Sequence, residues 1–267
     1  MTAREIRDRL LLAGIPEAQQ EALILLSAYT GLPPAALVGQ EVDCCEPDLL
    51  LAVRRREAHE PLGYILGEVP FYHGTLRVTS DCLIPRADTE RLVELATSLL
   101  PRSARFCDLC TGSGAIAVTV LAERPDTTAV ATDISAAALS VARENAVRYG
   151  VLPRLSLFES DLMVSMPEGR FDAILSNPPY IRTDVLDGLS QEVRAEPRIA
   201  LDGGEDGLAF YRRILSFSDS LTEGGFFLLE AGFDQEEALA SLAASLGYSF
   251  SPYRDYGHRF RGAVITP

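Results

Sequence analysis

Between residues 105 and 266, short apolar runs alternate with longer segments of helical periodicity, and this alternation restricts the possible folds more than any other feature. The runs predict strands and the longer segments predict helices. The predicted strands are 105–109, 128–132, 155–159, 171–176, 226–230, 248–253 and 262–266, and the predicted helices are 115–123, 135–149, 208–221 and 235–246. Strands and helices that alternate in this way form an α/β fold with a doubly wound parallel sheet.

The first 60 residues or so predict a group of short helices. Pro16 suits the first position of a helix, and Gly31 supplies its stop. A later helix is predicted from Pro47 to Pro61, and it carries the basic run Arg54-Arg55-Arg56. We interpret the three arginines as a solvated helix face; a contact with an acidic or nucleic-acid partner is the alternative.

The next segment has a different residue pattern, which predicts a transition between two parts of the chain. Residues 61–67 are a connector punctuated by glycines, and residues 69–78 predict a β-hairpin that turns at His73-Gly74. Beyond the hairpin, Asp88 or Thr89 is predicted to cap a helix.

Charge and hydropathy exclude several classes of protein. The chain has 24 Lys+Arg against 38 Asp+Glu, a formal net charge of −14. Nonspecific affinity for nucleic acid comes largely from cations that neutralise phosphates, so direct nucleic-acid binding is not expected. The first ten residues are charged and predict an amphipathic helix instead of a secretory signal. No apolar run approaches the roughly 20 residues that span a bilayer, so we expect a cytoplasmic protein without membrane contact.

The five cysteines and three histidines predict neither disulfides nor a metal site. An odd number of scattered cysteines does not indicate a disulfide framework. Residues 107–110 have the C-x-x-C spacing, but they finish a predicted strand, whereas redox motifs of that form start a helix. His59, His73 and His258 lie far apart in the sequence, and none is assigned as a ligand.

The most informative motif is Asn177-Pro178-Pro179-Tyr180, which directly follows the predicted strand 171–176. In open α/β sheets, ligands bind outside the carboxyl ends of the strands. Two prolines fix φ twice and remove two backbone donors, which leaves the carbonyls of Asn177 and Pro178 as stiff acceptors. An Asn-Pro pair alone indicates only a turn, but four such residues at a strand end favour a binding site.

The chemistry that needs such acceptors is attack by a planar nitrogen. An amide or amino nitrogen is a poor nucleophile because its lone pair is delocalised into the adjoining π system. If the Asn177 side-chain oxygen and the Pro178 carbonyl each accept one N–H, they position the nitrogen and support its growing positive charge. Tyr180 can stack on the planar group. The tetrapeptide resembles the signature of methyltransferases that act on such nitrogens with S-adenosylmethionine as donor.

Three acidic loops predict a nucleotide-like donor at the same sheet edge. Residues 108–114 join the first strand to its helix, and Gly112 and Gly114 permit a close backbone approach. Asp133 ends the second strand, where a carboxylate can accept hydrogen bonds from both ribose hydroxyls. Ser160-Asp161-Leu162 follows the third strand and suits a contact with the edge of an adenine.

Glycine loops followed by an acid also serve nicotinamide cofactors, so this signal alone leaves the donor open. The spacing of the third acidic loop and of residues 177–180 favours S-adenosylmethionine. A cationic sulfonium is also stabilised near carboxylates such as Asp108 and Asp133. Each of these aspartates could instead be a turn or cap residue, Asp161 above all.

With these motifs in place, the chain resembles the release factor glutamine methyltransferases over nearly all of residues 60–267. The matching blocks are Tyr64-Ile65-Leu66-Gly67, 83–90, 108–115, Asp133-Ile134-Ser135, 176–181, Glu196-Pro197-Arg198 and 202–207. The first 60 residues match in general character only.

The resemblance implies three parts: an N-terminal helical domain, 1–67, that binds release factor; a linking β-hairpin, 68–85; and a seven-stranded, Rossmann-like methyltransferase domain, 86–267. It implies methyl transfer from S-adenosyl-L-methionine to the glutamine amide in the Gly-Gly-Gln motif of class 1 peptide release factors, with S-adenosyl-L-homocysteine as the product. The protein is expected to be a monomer.

The resemblance also assigns residues. Asn177, Pro178, Pro179 and Tyr180 would hold the glutamine, and the donor would contact Asp108, Cys110, Thr111, Gly112, Ser113, Gly114, Asp133, Ile134, Asp161, Leu162 and Asn177. Three positions depart from the family pattern: Cys110 stands where glycine is frequent, Ala87 where proline is frequent, and Leu162 where an aromatic residue is often found. These departures concern donor affinity and leave the acceptor residues unchanged.

Other functions remain as alternatives at this stage. Within the same chemistry, the acceptor could be adenine in DNA or a glutamine of a ribosomal protein. In other classes, the chain could be a non-catalytic binder of release factor or an NAD-dependent oxidoreductase.

Overall fold

The structure, a computed structural model, describes residues 1–166 and 169–267, and the chain divides into two units. The helical unit comprises Met1–Glu68 and Ser190–Ala195, and the α/β unit comprises Val69–Leu189 and Glu196–Pro267. Each unit is described separately below.

The helices are α1 (Ala3–Leu12), α2 (Ala18–Thr30), α3 (Pro34–Leu37), α4 (Pro47–Glu57), α5 (Leu62–Leu66), α6 (Ala87–Leu99), α7 (Ala115–Glu123), α8 (Ala136–Arg148), α9 (Gln191–Arg194), α10 (Ala209–Leu215) and α11 (Glu236–Ser245). The strands are β1 (Glu68–Phe71), β2 (Gly74–Arg77), β3 (Arg105–Leu109), β4 (Thr128–Asp133), β5 (Leu155–Glu159), β6 (Phe171–Ser176), β7 (Leu221–Glu230), β8 (Ser249–Arg254) and β9 (Phe260–Thr266). Short 3-10 helices lie at Leu152–Arg154, Thr183–Gly188, Arg198–Ala200 and Ser218–Ser220.

In the helical unit, α1 to α5 enclose a small apolar core. Ile6, Leu10, Leu25, Leu26 and Leu49 are fully buried there. The predicted short helices are therefore present, although α2 begins at Ala18, two residues after the predicted Pro16.

The predicted connector 61–67 is wrong, because most of it is the helix α5. The carbonyl of Pro61 accepts the backbone N–H of Ile65, and Gly67, at φ 76°, ends the helix by donating to Gly63. Ile65 packs into the core of the unit. So short a helix cannot be recognised from the sequence, because a proline and two glycines indicate a connector there. Burial of one isoleucine stabilises the helix.

The interpretation of the basic run as a solvated face is wrong for Arg56, which is 4% exposed. Helical spacing puts residue 56 on the buried face of α4 with Leu49 and Val53. Its guanidinium donates to the carboxylate of Glu21 at 2.6 Å and to that of Glu192 at 3.3 Å. Burial of the cation is tolerated because it is paired twice.

The hairpin of the α/β unit is present, with its turn shifted by one residue. Tyr72 and His73 form the turn between β1 and β2, and Gly74 already belongs to β2. A Cβ at Gly74 would lie 2.2 Å from the hydroxyl oxygen of Tyr149. Glycine at position 74 therefore leaves room for the side chain of Tyr149, which follows α8.

The described strands of the large sheet follow the order β5-β4-β3-β6-β7-β9-β8. Neighbours from β5 to β7 are parallel, whereas β9 is antiparallel to both β7 and β8. The predicted α/β fold with a doubly wound, seven-stranded sheet is confirmed. The sheet is not wholly parallel, because β9 inserts between β7 and β8 in the opposite direction.

One predicted helix is too long. The sequence predicts a helix over 208–221, but α10 ends at Leu215 and β7 begins at Leu221. The strand pairing of β6 with β7 is irregular between Leu221 and Phe226, where Gly224 adopts φ 77°. The first half of this strand cannot be recognised from the sequence, because two consecutive glycines interrupt the strand pattern.

The topology brings five polar loops to one edge of the sheet. Strands β3, β4, β5, β6 and β7 are parallel, so their carboxyl ends meet there. The register pairs Leu109 with both Thr132 and Ser176, and Ser176 in turn pairs with Leu229. The residues that follow these positions must therefore lie side by side. Over the part of the chain that the structure describes, every helix is too short or too polar to cross a bilayer.

Candidate functional site

A cavity opens at this sheet edge, and many of the predicted site residues line it. The predicted residues in its wall are Cys110, Gly112, Asp133, Ile134, Asp161, Leu162, Asn177 and Pro179. The wall also contains Leu83 and Pro197, which belong to the family blocks, and residues that the sequence did not single out: Cys82, Ala138, Ile199 and Phe210. The family blocks were the sequence feature from which Leu83 and Pro197 could have been identified. No sequence feature indicated Phe210.

The glycine loop approaches the cavity through its backbone. Gly112 and Gly114 adopt φ 55° and 81°, which favours glycine at both positions. A Cβ at Gly114 would lie 3.1 Å from the Cβ of Ala142, so this glycine also lets α7 pack closely on α8. Cys110 has φ 58° without being glycine. The loop is thus a tight turn whose backbone is exposed to the cavity at Gly112.

Thr111 and Ser113 are buried and hold the loop from behind. The Thr111 hydroxyl donates to Asp108 at 2.6 Å, and the Ser113 carbonyl accepts a hydrogen bond from Asn145 at 2.8 Å. Asp108, also fully buried, accepts a second bond from the N–H of Ala117 at 3.1 Å. Its other oxygen has no hydrogen-bond partner in residues 1–166 and 169–267, and burial raises the pKa of Asp108 to about 7.

Asp133 faces the cavity and joins two of its walls. One carboxylate oxygen accepts the N–H of Gly112 at 2.8 Å, and the other accepts that of Ser135 at 2.9 Å. Ser135 is also the N-cap of α8. Asp133 therefore fixes the glycine loop relative to α8 while its remaining lone pairs are available to a ligand. Burial raises its pKa.

The third acidic loop contributes one charged and one apolar residue to the cavity. Leu162 is 3% exposed and adopts φ 56°. The carboxylate of Asp161 pairs with Arg213 at 2.8 Å. Ile134, which is 51% exposed, adds a second apolar side chain to the wall. Apolar side chains and one acceptor together suit a flat aromatic base.

The acceptor loop presents Asn177 and Pro179 to the cavity. Pro178 and Pro179 are buried, whereas Asn177 is half-buried, and its Nδ2 donates to the Thr89 hydroxyl at 3.3 Å. The ring of Tyr180 packs against a core cluster and, among the described residues, is not part of the cavity wall. Burial raises the pKa of Tyr180, so its hydroxyl stays protonated.

Thr89 makes this contact from the first turn of α6. The expected cap by Asp88 or Thr89 is wrong, because the helix begins at Ala87 with Arg86 as its N-cap residue. Thr89 is 3% exposed, and its hydroxyl faces Asn177. A residue that the sequence indicated as a cap is therefore a contact of the acceptor loop.

The segment 201–207 supports the acceptor loop from the other side. Ile181 donates to the carbonyl of Leu201 at 3.0 Å, and Gly203 donates to that of Ile181 at 2.7 Å. Gln235 Nε2 donates to the carbonyls of Tyr180 and Gly207 at 3.0 and 3.2 Å. These bonds hold the backbone of the loop at a fixed position.

Glu196 performs a similar task for the residues before α6. It is 5% exposed, and its carboxylate accepts the N–H of Ile84 at 3.0 Å and pairs with Arg86. Two of the family blocks, 83–90 and 196–198, are thus joined by one buried carboxylate. In the described ranges 1–166 and 169–267, no three His, Cys, Asp or Glu side chains are grouped to hold a metal ion.

Family models and curated relatives match most of the chain. Residues 87–204 match the family model of the methyltransferase small domain, and residues 3–67 match that of the PrmC N-terminal domain. The release factor glutamine methyltransferase of Cereibacter sphaeroides is 45% identical over 245 residues, which cover 90% of this chain and 87% of the relative. The protein of the same name from Geobacter sulfurreducens is 41% identical over 88% of this chain and 84% of its own.

A solved structure shows the same fold. The methyltransferase from Pyrococcus furiosus has a TM-score of 0.54 over 72% of this chain and 87% of its own, at 21% sequence identity.

Proposed function

The chain belongs to the release factor glutamine methyltransferases, and from this membership we propose that it methylates the glutamine of the Gly-Gly-Gln motif in class 1 peptide release factors. The methyl donor would be S-adenosyl-L-methionine and the second product S-adenosyl-L-homocysteine. The observation that carries the proposal is the position of Asn177, which borders the same cavity as the glycine loop and Asp133.

The described residues fit such a donor. Gly112 leaves backbone accessible at the cavity, and Asp133 supplies a carboxylate for the ribose hydroxyls. Ile134 and Leu162 offer apolar surface for an adenine, and the acceptor for its amino group would be Asp161. When bound, the donor supplies an electrophilic methyl carbon attached to a cationic sulfur.

The chain would act on the acceptor by orientation and not by deprotonation. The side-chain oxygen of Asn177 and the carbonyl of Pro178 would each accept one N–H of the glutamine amide and so aim its nitrogen. With the donor bound, the amide nitrogen would take the methyl group: an N–C bond would form as the C–S bond breaks, and the electron pair would stay on sulfur. The nitrogen, now cationic, is acidic enough to release its proton to water.

The remaining assignments are proposals about partners. We propose that the helical unit contacts the release factor and that the protein acts as a monomer in the cytoplasm. A separate proposal concerns the donor loop, which Asp108 and the buried residues Thr111 and Ser113 would support.

The direct test is mass spectrometry of release-factor peptides after incubation with the protein and donor. We expect a gain of one methyl group on the glutamine, and none on a release factor in which glutamate replaces that glutamine. DNA and ribosomes, assayed in parallel with isotope-labelled donor, should remain unlabelled. Label in either of these, with unmodified release factor, would contradict the proposal.

We expect Asp133→Ala to weaken donor binding by about 100-fold, because a charged acceptor is worth roughly 1.5–3 kcal/mol per hydrogen bond. The substitution also removes the bonds to Gly112 and Ser135. Calorimetric titration with S-adenosyl-L-homocysteine measures the effect. Asp126→Asn is the matched control: Asp126 precedes the other end of β4 and pairs with Arg124. Equal affinities of the two variants would contradict the role of Asp133.

A further inference from the structure

A buried carboxylic acid, Glu230, stands behind the acceptor loop. It ends β7, and Ser176 of β6 pairs with Leu229 of β7, so Asn177 and Glu230 follow at matching positions. Paired strands lie about 4.8 Å apart. Glu230 is 2% exposed, and its Oε2 has no hydrogen-bond partner within the described residues. An acid kept at this position without full pairing is expensive, which indicates a role beyond packing.

Thr89 connects this carboxyl group to the acceptor loop. The Thr89 hydroxyl accepts the Nδ2–H of Asn177 at 3.3 Å. On its other side lies the Glu230 carboxyl, whose pKa is lowered by side-chain hydrogen bonding to Thr89. Asn177 borders the cavity, whereas neither Thr89 nor Glu230 is part of its wall in the described chain. Any effect of these two residues on a bound acceptor must therefore pass through Asn177.

The order of hydrogen-bond donors from Glu230 through Thr89 to Asn177 determines the orientation of the Asn177 side-chain amide. An ionised carboxylate can only accept, so it takes the hydroxyl proton of Thr89. The lone pairs of that hydroxyl are then left for an N–H, and only Nδ2 of the Asn177 side chain can supply one. The side-chain oxygen is consequently directed away from Thr89.

We propose that Glu230 and Thr89 are positioning residues that hold the Asn177 amide with its oxygen, and not its nitrogen, toward the acceptor. The proposal rests on the proposed function, because it assumes an acceptor that donates an N–H. With the amide turned over, two N–H groups would face each other and the acceptor would lose one of its two contacts.

This relay, the series of contacts from Glu230 through Thr89 to Asn177, depends on the charge of Glu230 and therefore on pH. Burial raises the pKa of Glu230 to about 7, against the opposing effect of the Thr89 hydrogen bond. The charged and titratable groups that face it are Asp88 on α6, Arg86 just before α6, Tyr180 after β6, Tyr211 on α10, Tyr253 on β8 and Arg261 on β9. Below about pH 7 the protonated carboxyl can donate to Thr89, whose own proton is then free to turn to the Asn177 oxygen. Turnover should fall as the pH falls through that value.

The test compares four single variants and one double variant in the methylation assay. We expect Glu230→Gln and Thr89→Val each to lower kcat by about 10- to 100-fold, in the range for one preorganised dipole, with donor affinity changed less than 3-fold. Thr89→Ser keeps the hydroxyl and should recover most of the activity that Thr89→Val loses. Asp172→Asn makes the same acid-to-amide change at the opposite end of β6, where the carboxylate accepts the N–H of Arg105. It should leave the pH profile unchanged.

Two results distinguish a relay from a structural role. The double variant of Glu230→Gln with Thr89→Val should lose no more activity than either single variant, and Glu230→Gln should abolish the fall of kcat below pH 7. Multiplied losses in the double variant, or an acid limb that persists in Glu230→Gln, would overturn the relay. If Glu230→Gln does not fold, the comparison of Thr89→Val with Thr89→Ser tests the relay, since equal activity of these two variants would also contradict it. Wild-type protein that leaves release factor unmethylated would overturn the proposed function instead.

Discussion

Asn177→Ala is expected to lower kcat for glutamine methylation by about 10²- to 10³-fold, the range measured for loss of one preorganised hydrogen-bonding group in an active site. The variant removes the side-chain acceptor but keeps the rigid backbone of Pro178 and Pro179, which are buried. The nitrogen of the substrate amide would then be held by a single carbonyl and would sample unproductive orientations.

Donor binding provides the control for this variant. The contacts that fix the donor loop, from Gly112 to Asp133 and from Thr111 to Asp108, do not involve Asn177. Calorimetry should therefore give a dissociation constant for S-adenosyl-L-homocysteine within a few-fold of the wild-type value. Full turnover in Asn177→Ala would refute the assignment of the acceptor loop. Loss of donor affinity alone would mean that Asn177 acts only as the donor contact that the family resemblance also assigns to it.

The sheet could be predicted from sequence because its signals are local. The strands 105–109, 155–159 and 171–176 are short apolar runs flanked by turn residues, and the structure has them with the same bounds. The tetrapeptide 177–180 could be placed at a sheet edge for the same reason. Position along the chain and strand direction together determine which loops meet.

The parts that could not be predicted depend on partners distant in sequence. Arg56 looks like a surface residue until Glu21 and Glu192 pair with it. Glu230 looks like the polar end of a strand, and only the neighbouring β6 and α6 reveal that its carboxyl is buried behind Asn177. Periodicity identifies the face of a helix or strand, but it does not identify which charges compensate each other inside.

The family blocks show how the two kinds of information combine. The sequence 202–207 was recognisable by resemblance, yet it gave no physical reason for its glycines. The structure supplies that reason at Gly203, where a Cβ would lie 2.7 Å from Cα and 2.8 Å from the carbonyl carbon of Tyr180. It would also lie 2.9 Å from the carbonyl oxygen of Pro179. Gly203 is therefore required for contact with the backbone of the acceptor loop, and its φ is not in the left-handed region.

Gly203→Ala is accordingly expected to lower kcat by about 100-fold, since a displacement of about 1 Å at a reacting group can cost that much. Backbone atoms cannot swing aside as a flexible side chain can, so the added methyl must push the segment Pro179-Tyr180. We also expect a loss of about 1–3 kcal/mol in the free energy of unfolding, the usual cost of overpacking. Turnover, donor titration and thermal unfolding measure the three quantities separately.

Gly188→Ala is the matched control, because a Cβ at Gly188 would meet no heavy atom of the described residues within 4 Å. It should keep wild-type turnover. If Gly203→Ala folds and turns over as fast as Gly188→Ala, then the acceptor loop tolerates displacement, and catalysis does not depend on stiff acceptors. If Gly203→Ala instead loses turnover while its affinity for donor is unchanged, the loss lies in the orientation of the acceptor nitrogen. A rigid loop, held from one side by segment 201–207 and from the other by Thr89, is then what makes a poorly nucleophilic amide react.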